Sequence, residues 1–150
     1  MIIVAETDPR EPDTVALLKA SHALMESLFP PEDNFYLDID DLVAPHIKFY
    51  TARENGTVLG TGAIALKPDY AEVKSMFVSK DARGKGVAAA ILRQLEDTAR
   101  ENDVKVMKLE TGDVLHAAHR LYESQGFTRC GGFPPYNDAG SSIFMEKPLT

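Results

Sequence analysis

The sequence is short of several things, and each shortage narrows what the chain can be. Cysteine occurs once, at Cys130, which excludes an internal disulfide framework and fits a reducing, cytoplasmic setting. That residue reads as a small, buried or half-buried side chain, because nothing in its sequence context calls for a reactive thiol. Positive charge is scarce: 16 Lys and Arg against 23 Asp and Glu leave a formal net charge of −7. Neither a nucleic-acid backbone nor an anionic membrane is therefore expected as a main partner. No apolar run approaches the roughly 20 residues of a membrane span. The apolar start at residues 2–5 gives way to acids, so no signal peptide is expected. No second ligand stands at metal spacing from His22, and no metal site is expected. Repeats, low-complexity tracts and linkers are missing too. What remains is 150 residues with 44% hydrophobic and 26% charged content, enough for one soluble domain over 1–150 with its own core.

The elements follow from periodicity and from the turn-formers between them. Residues 2–5 read as a first strand, ended by Pro9 and Pro12, with Asp13 a candidate helix cap. Leu17, Leu18, Ser21, Leu24, Met25 and Leu28 then share one face of a helix reaching about Phe29, stopped by Pro30-Pro31. Residues 32–45 carry Asp33, Asp38, Asp40 and Asp41 beside Phe35 and Tyr36. They read either as a short helix around residues 37–42 or as a mobile loop, and the acids either as a solvated face or as a lid offering negative charge to a cationic substrate. Residues 47–53 and 58–66 flank Asn55-Gly56, a hairpin signal. Gly60 and Gly62 in the second strand suggest a bulge or a close neighbour. A strand at 72–78 leads through a turn to a helix whose apolar positions are Val87, Ala88, Ile91, Leu92, Leu95 and Ala99. Residues 104–111 form the next strand, parallel to 72–78 by the crossover rule. A helix at 114–125, capped by Asp113 and stopped by Gly126, precedes short strands near 128–130 and 142–146. The class is α/β (α+β), a mixed sheet with helices on both faces.

Chemistry concentrates at Arg83-Gly84-Lys85-Gly86-Val87-Ala88, a small-residue turn that opens directly into a helix. Such a turn leaves several backbone N–H groups without partners at the positive end of the helix dipole. Glycine at 84 and 86 removes side chains that would keep a ligand off the backbone. The turn reads as a diphosphate cradle, with Lys80 adding charge nearby. Gly84-x-Gly86-x-x-Ala89 also fits a dinucleotide fingerprint, with Glu110 as the ribose-binding acid. Against that, five residues separate Val78 from Gly84, and hairpin strands precede the turn instead of an alternating β-α chain. A dinucleotide-dependent oxidoreductase is thus the weaker alternative.

Arg83-x-x-Gly86-x-Ala88 resembles the acyl-CoA signature of the GNAT superfamily of N-acetyltransferases, and Leu121-Tyr122-Glu123-Ser124-Gln125-Gly126-Phe127 is similar to that superfamily's Leu-Tyr-Glu-x-x-Gly-Phe helix end. The element order agrees over essentially the whole chain. The resemblance implies a centrally splayed sheet of six to seven strands and acetyl-CoA as co-substrate. Its diphosphate would lie on Arg83, Gly84, Lys85, Gly86, Val87 and Ala88, and its arm along the strand of Met76, Phe77 and Val78. A backbone N–H near Phe77 would polarise the thioester carbonyl. Many relatives carry an asparagine at the position of Leu115; His116 is the candidate substitute. Tyr122 matches the general acid, and Glu72 a position where some members keep a general base, its alternative being a solvent-facing acid at a strand end. His119 is expected on the exposed side of its helix, with a proton relay as the alternative. Phe29, Tyr36, Asp113 and Tyr136, with Phe133, are candidates for the acceptor site.

The resemblance implies direct acetyl transfer to a primary amine, on a small, cationic molecule or a peptide. A lysine-type ammonium, with a pKa of about 10.4, must lose a proton before it attacks. A non-catalytic acyl-CoA sensor would keep the cradle without needing Tyr122 or Glu72. A homodimer is compatible with the resemblance.

Overall fold

The computed structural model describes residues 1–136 and 140–149. Seven strands form one sheet in the order β1-β2-β3-β4-β5-β7-β6: β1 Ile3–Glu6, β2 Ile47–Glu54, β3 Thr57–Leu66, β4 Ala71–Val78, β5 Val106–Gly112, β6 Thr128–Cys130 and β7 Ser142–Pro148. The helices are α1 Pro12–Leu28, α2 Val87–Glu101 and α3 His116–Ser124. The pair β4–β5 is parallel and its neighbours are antiparallel. This is a mixed, open sheet and not a doubly wound one, so the topology a dinucleotide-binding reading requires is not the one found.

The sheet is covered on both faces because its strands alternate. Along β3, Ile64 joins a cluster with Val87, Ile91, Leu92 and Leu95 of α2, together with Val73, Met107 and Leu109. Ala63 and Ala65, one residue to either side, join Leu18 of α1, Leu42, Ile47 and Phe49 on the opposite face, as the two-residue period demands. Tyr50 of β2 and Thr98 of α2 share a buried hydroxyl contact of 2.6 Å, which anchors that helix.

Several local expectations need correction. The first residue of α1 is Pro12, and neither Asp13 nor Glu11 makes a side-chain cap bond; Asp13 is instead drawn to Arg53 at 2.7 Å. The third helix begins at His116, with Leu115 and not Asp113 at its cap position. Leu28, expected on the apolar face of α1, is exposed. Residues 32–45 form neither a regular helix nor an open loop: 3-10 turns at Pro31–Asp33 and Asp41–Val43 bracket an extended stretch. The hairpin is as read, with Asn55 and Gly56 both at positive φ.

The main irregularity positions the site. The register of β3 and β4 shifts between Thr61 and Ala63, and Ser75 on β4 adopts a φ of 56°. This is a β-bulge. The Thr61 hydroxyl donates to the Ser75 carbonyl at 2.7 Å, giving the displaced carbonyl a partner. Gly62 lies opposite, where a Cβ would come within 3.0 Å of Ile91 and Met76. Glycine is required there by close approach, as the sequence suggested.

Candidate active site at the splay of β4 and β5

Strands β4 and β5 pair only through Ala71–Met107, Glu72–Lys108 and Val73–Leu109. Both continue, to Val78 and to Gly112, but apart. A cleft of about 150 Å³ opens between them, lined by Lys74, Ser75 and Met76 from β4, Glu110, Thr111 and Gly112 from β5, Tyr122 of α3, and Phe29, Asp33 and Asn34 beyond α1. The turn before α2 lies past the far end of β4. Gly84 and Gly86 have φ of 81° and 78°, and a Cβ at either would meet nothing within 4 Å, so the turn is open. Gly86 occupies the cap position of α2 without a side-chain cap bond, leaving first-turn N–H groups available. Arg83, Lys85 and Lys80 are exposed around it. An open, cationic helix start beside a gap between strands fits a diphosphate with a linear arm.

Within the cleft, burial raises the pKa of Tyr122 above that of an ordinary tyrosine, and the nearby charge of Glu110 adds to the effect. The phenol therefore keeps its proton and is a donor. Burial also raises the Glu110 carboxyl; a hydrogen bond from Ser142 and the charge of Lys74 oppose that, while Glu72 and Asp33 reinforce it. The Ser142 hydroxyl donates to Glu110 Oε2 at 2.8 Å. A carboxylate whose proton affinity is raised is a better base near neutrality. Two buried atoms of cleft-lining residues, Asn34 Oδ1 and Ser75 Oγ, lack a hydrogen-bond partner among the described residues. Orphaned groups of this kind cost about 1–3 kcal/mol each.

The Acetyltransferase (GNAT) family model matches residues 15–127. The chain belongs to the GNAT family of acetyltransferases. It is 39% identical over 150 residues to the IAA acetyltransferase of Azospirillum brasilense, covering 99% of this chain and 98% of that one. A solved protein described as an acyl-CoA N-acyltransferase from Klebsiella pneumoniae superposes with a TM-score of 0.84 at 31% identity, over 100% of this chain and 99% of that one. A GNAT acetyltransferase from Elizabethkingia anophelis, solved with acetyl-CoA bound, has a TM-score of 0.72 at 17% identity, over 99% and 98% of the two chains. The likeness at that identity concerns the fold. Membership makes the chain an acyltransferase of a family that uses acetyl-CoA as co-substrate. Among the described residues no group of His, Cys, Asp or Glu could hold a metal ion, and no helix is long and apolar enough to cross a membrane.

The GNAT frame brings some of the expected residues together and leaves others apart. Tyr122, Met76, Phe29 and Tyr36 line the cleft. The Phe29 ring lies against Gly112, where a Cβ would collide with it. Tyr36 stacks on His22 at 4.0 Å and donates to Glu26. Phe77 and Val78 continue β4 past the bulge. His116 is exposed at the start of α3, its ring 5.5 Å from His119. Asp113 is exposed outside the cleft lining. Glu72 is not a solvent-facing acid: it is 3% exposed, accepts a short hydrogen bond from Tyr136, and borders a second cavity of about 500 Å³ together with Tyr136. His119, expected on the exposed side, is buried, and its Nε2 contacts the Gly112 carbonyl at 2.8 Å, pinning α3 to the end of β5. Phe133 is buried against Tyr70 and Phe144. Residues 137–139 of its loop lie outside the described residues.

The residue that sequence reasoning passed over is Glu110, considered only as a ribose ligand. A signal was present. Met107 and Leu109 alternate as core positions, so Glu110 must face away from α2, on the same side as Glu72.

Proposed function

We propose that this GNAT protein transfers the acetyl group of acetyl-CoA directly to a primary amine of a small, cationic molecule or a peptide, with Glu110 as general base and Tyr122 as general acid. The observation that carries this is their shared cleft: a carboxyl with raised proton affinity and a phenol that stays protonated both face the gap where β4 and β5 part. Glu110 takes a proton from the acceptor ammonium, and Tyr122 gives one to the departing thiolate. Acetyl-CoA supplies an activated acetyl thioester when bound. Residues 83–88 hold its diphosphate through backbone N–H groups and flanking cations, and the unpaired edge of β4 from Met76 to Val78 holds its arm. Glu72 is less available to an acceptor, because its Oε2 already takes the Tyr136 hydroxyl and Lys74. Asp33, Glu110 and the orphaned oxygens of Asn34 and Ser75 favour an acceptor rich in N–H donors, with Phe29 and Tyr36 as its apolar walls. The reducing cytoplasm suits half-buried Cys130.

Calorimetric titration with acetyl-CoA, with NAD as the comparison ligand, tests the cofactor. A screen of primary amines for release of the CoA thiol then tests the reaction, and IAA, for which the Azospirillum relative is named, is tried apart from it as a non-amine acceptor. Saturable binding of acetyl-CoA alone and amine-dependent thiol release are expected. A folded sample that ignores acetyl-CoA would overturn the reading; binding without release for any acceptor would leave a sensor module in its place.

A further inference from the structure

Two segments that sequence patterning left unassigned meet at one side chain of β4. Lys74 Nζ donates to the Phe35 carbonyl at 3.0 Å and to the Tyr136 hydroxyl at 2.6 Å, and stands 3.5 Å from Glu72 Oε2. Its side chain is 11% exposed, that of Glu72 4%. The Tyr136 ring also meets Phe35 edge-on at 5.0 Å. The stretch after α1 and the loop before β7 are therefore both fastened to β4 through this ammonium. A second tie, Ser141 to Asp33 at 2.8 Å, joins the same two segments directly.

The placement on the sheet matters equally. Glu72 and Lys74 are two residues apart on β4, and Lys108 and Glu110 two apart on β5, so all four belong to the face away from α2. Glu72 is in register with Lys108, which puts Lys74 one step further toward Glu110. Charges thus alternate along and across the two strands, up to the point where they separate. Among the described residues lining the cleft, Lys74 is the one cation. The groups facing Glu110 are Lys74 and Glu72 from β4, Asp33 from the turn after α1, Ser142 from β7 and Tyr122 from α3.

We propose that Lys74 is a positioning residue of the transfer reaction: its ammonium clamps both acceptor-side loops onto β4 and supplies the positive charge beside which the Glu110 carboxylate works. Glu72 is its counterweight, acting on Glu110 with the opposite sign. The inference rests on Glu110 being the base. Removing a cation beside a carboxylate raises its proton affinity, and removing an anion lowers it. The two neighbours on β4 must then move the same kinetic limb in opposite directions.

The experiment is the pH profile of kcat/KM for thiol release, with the best primary amine from the screen, in the full chain. Lys74→Met should shift the acid limb to higher pH, and Glu72→Gln should shift it to lower pH. Lys74→Arg, which keeps the charge, should leave the limb where it is. Lys74→Met alone strands a buried carboxylate, so the double variant Lys74→Met/Glu72→Gln, neutral at both positions, is measured as well; its limb should fall between those of the single variants. Height of the plateau reports the loops, and position of the limb reports the charge. An acid limb that persists unchanged in Glu110→Gln would overturn the base assignment itself. A limb that vanishes in Glu110→Gln, yet stays fixed in every Lys74 and Glu72 variant, would overturn the role of Lys74 alone.

Discussion

Glu110 is held where charge is disfavoured, and this couples function to stability. Its folded proton affinity lies above the ordinary carboxyl value because it is buried. At pH below the unfolded value of about 4.3, both states carry the proton and the site contributes no difference. As pH rises through the folded value, the native state must ionise a buried group and loses stability relative to the unfolded chain. Glu110→Gln, which mimics the neutral form, should therefore melt higher than the wild type at neutral pH and equally at low pH. Thermal unfolding over that range checks it; equal melting at every pH would mean Glu110 is not strained. The same variant should lower kcat/KM by about 10²–10⁴-fold, the usual worth of a general base. Tyr122→Phe should cost a similar factor while leaving acetyl-CoA affinity nearly unchanged, and full turnover in that variant would remove Tyr122 from the proton pathway. Tyr122 was legible because it sits in a motif. Glu110 was not, because a polar residue alternating with Met107 and Leu109 looks like any outward strand position until the neighbouring strand leaves it.

The splay is built from small residues. Gly62 faces the bulge with no room for a methyl group beside Ile91 and Met76, so Gly62→Ala should destabilise by about 1–3 kcal/mol through overpacking, read from urea unfolding. Unchanged stability would mean the bulge is not clamped between β3 and α2. Gly86 is different: its surroundings are empty and its φ is positive. Gly86→Ala should cost about 1–2 kcal/mol of backbone strain and weaken acetyl-CoA in a calorimetric titration. The hairpin and the β4-turn-α2-β5 crossover with its parallel pair were readable from period and turn chemistry, whereas the order in which β6 and β7 complete the sheet was not. The ends of α1 and α3 were less so, because capping was assigned to Asp13 and Asp113, and neither makes a cap bond. The course of residues 32–45 and of the loop after β6 was not readable. They carry no period, and long-range ties through Lys74, Tyr136 and Asp33 decide their shape.

For the molecule as a whole, charge is the readable quantity. A net −7 and a cleft holding Asp33 and Glu110 against Lys74 favour a cationic acceptor by long-range attraction. That attraction is screened beyond about 10 Å at 0.1 M salt. KM for a cationic amine should therefore rise with ionic strength, and a salt-independent KM would argue that the acceptor is held by contact alone. Asp40 does not contribute freely, since Arg10 pairs with it at 3.1 Å. The family is fixed by the match over residues 15–127; on the proposed reading, the acceptor is chosen by a few side chains at the splay. Amine-dependent release of the CoA thiol, compared between the wild type and Glu110→Gln, tests that site most directly. Release that saturates with a primary amine and falls by about 10²-fold or more in the variant is the predicted result. Release of equal rate in both proteins, or acetyl-CoA binding with no release for any acceptor, would contradict it.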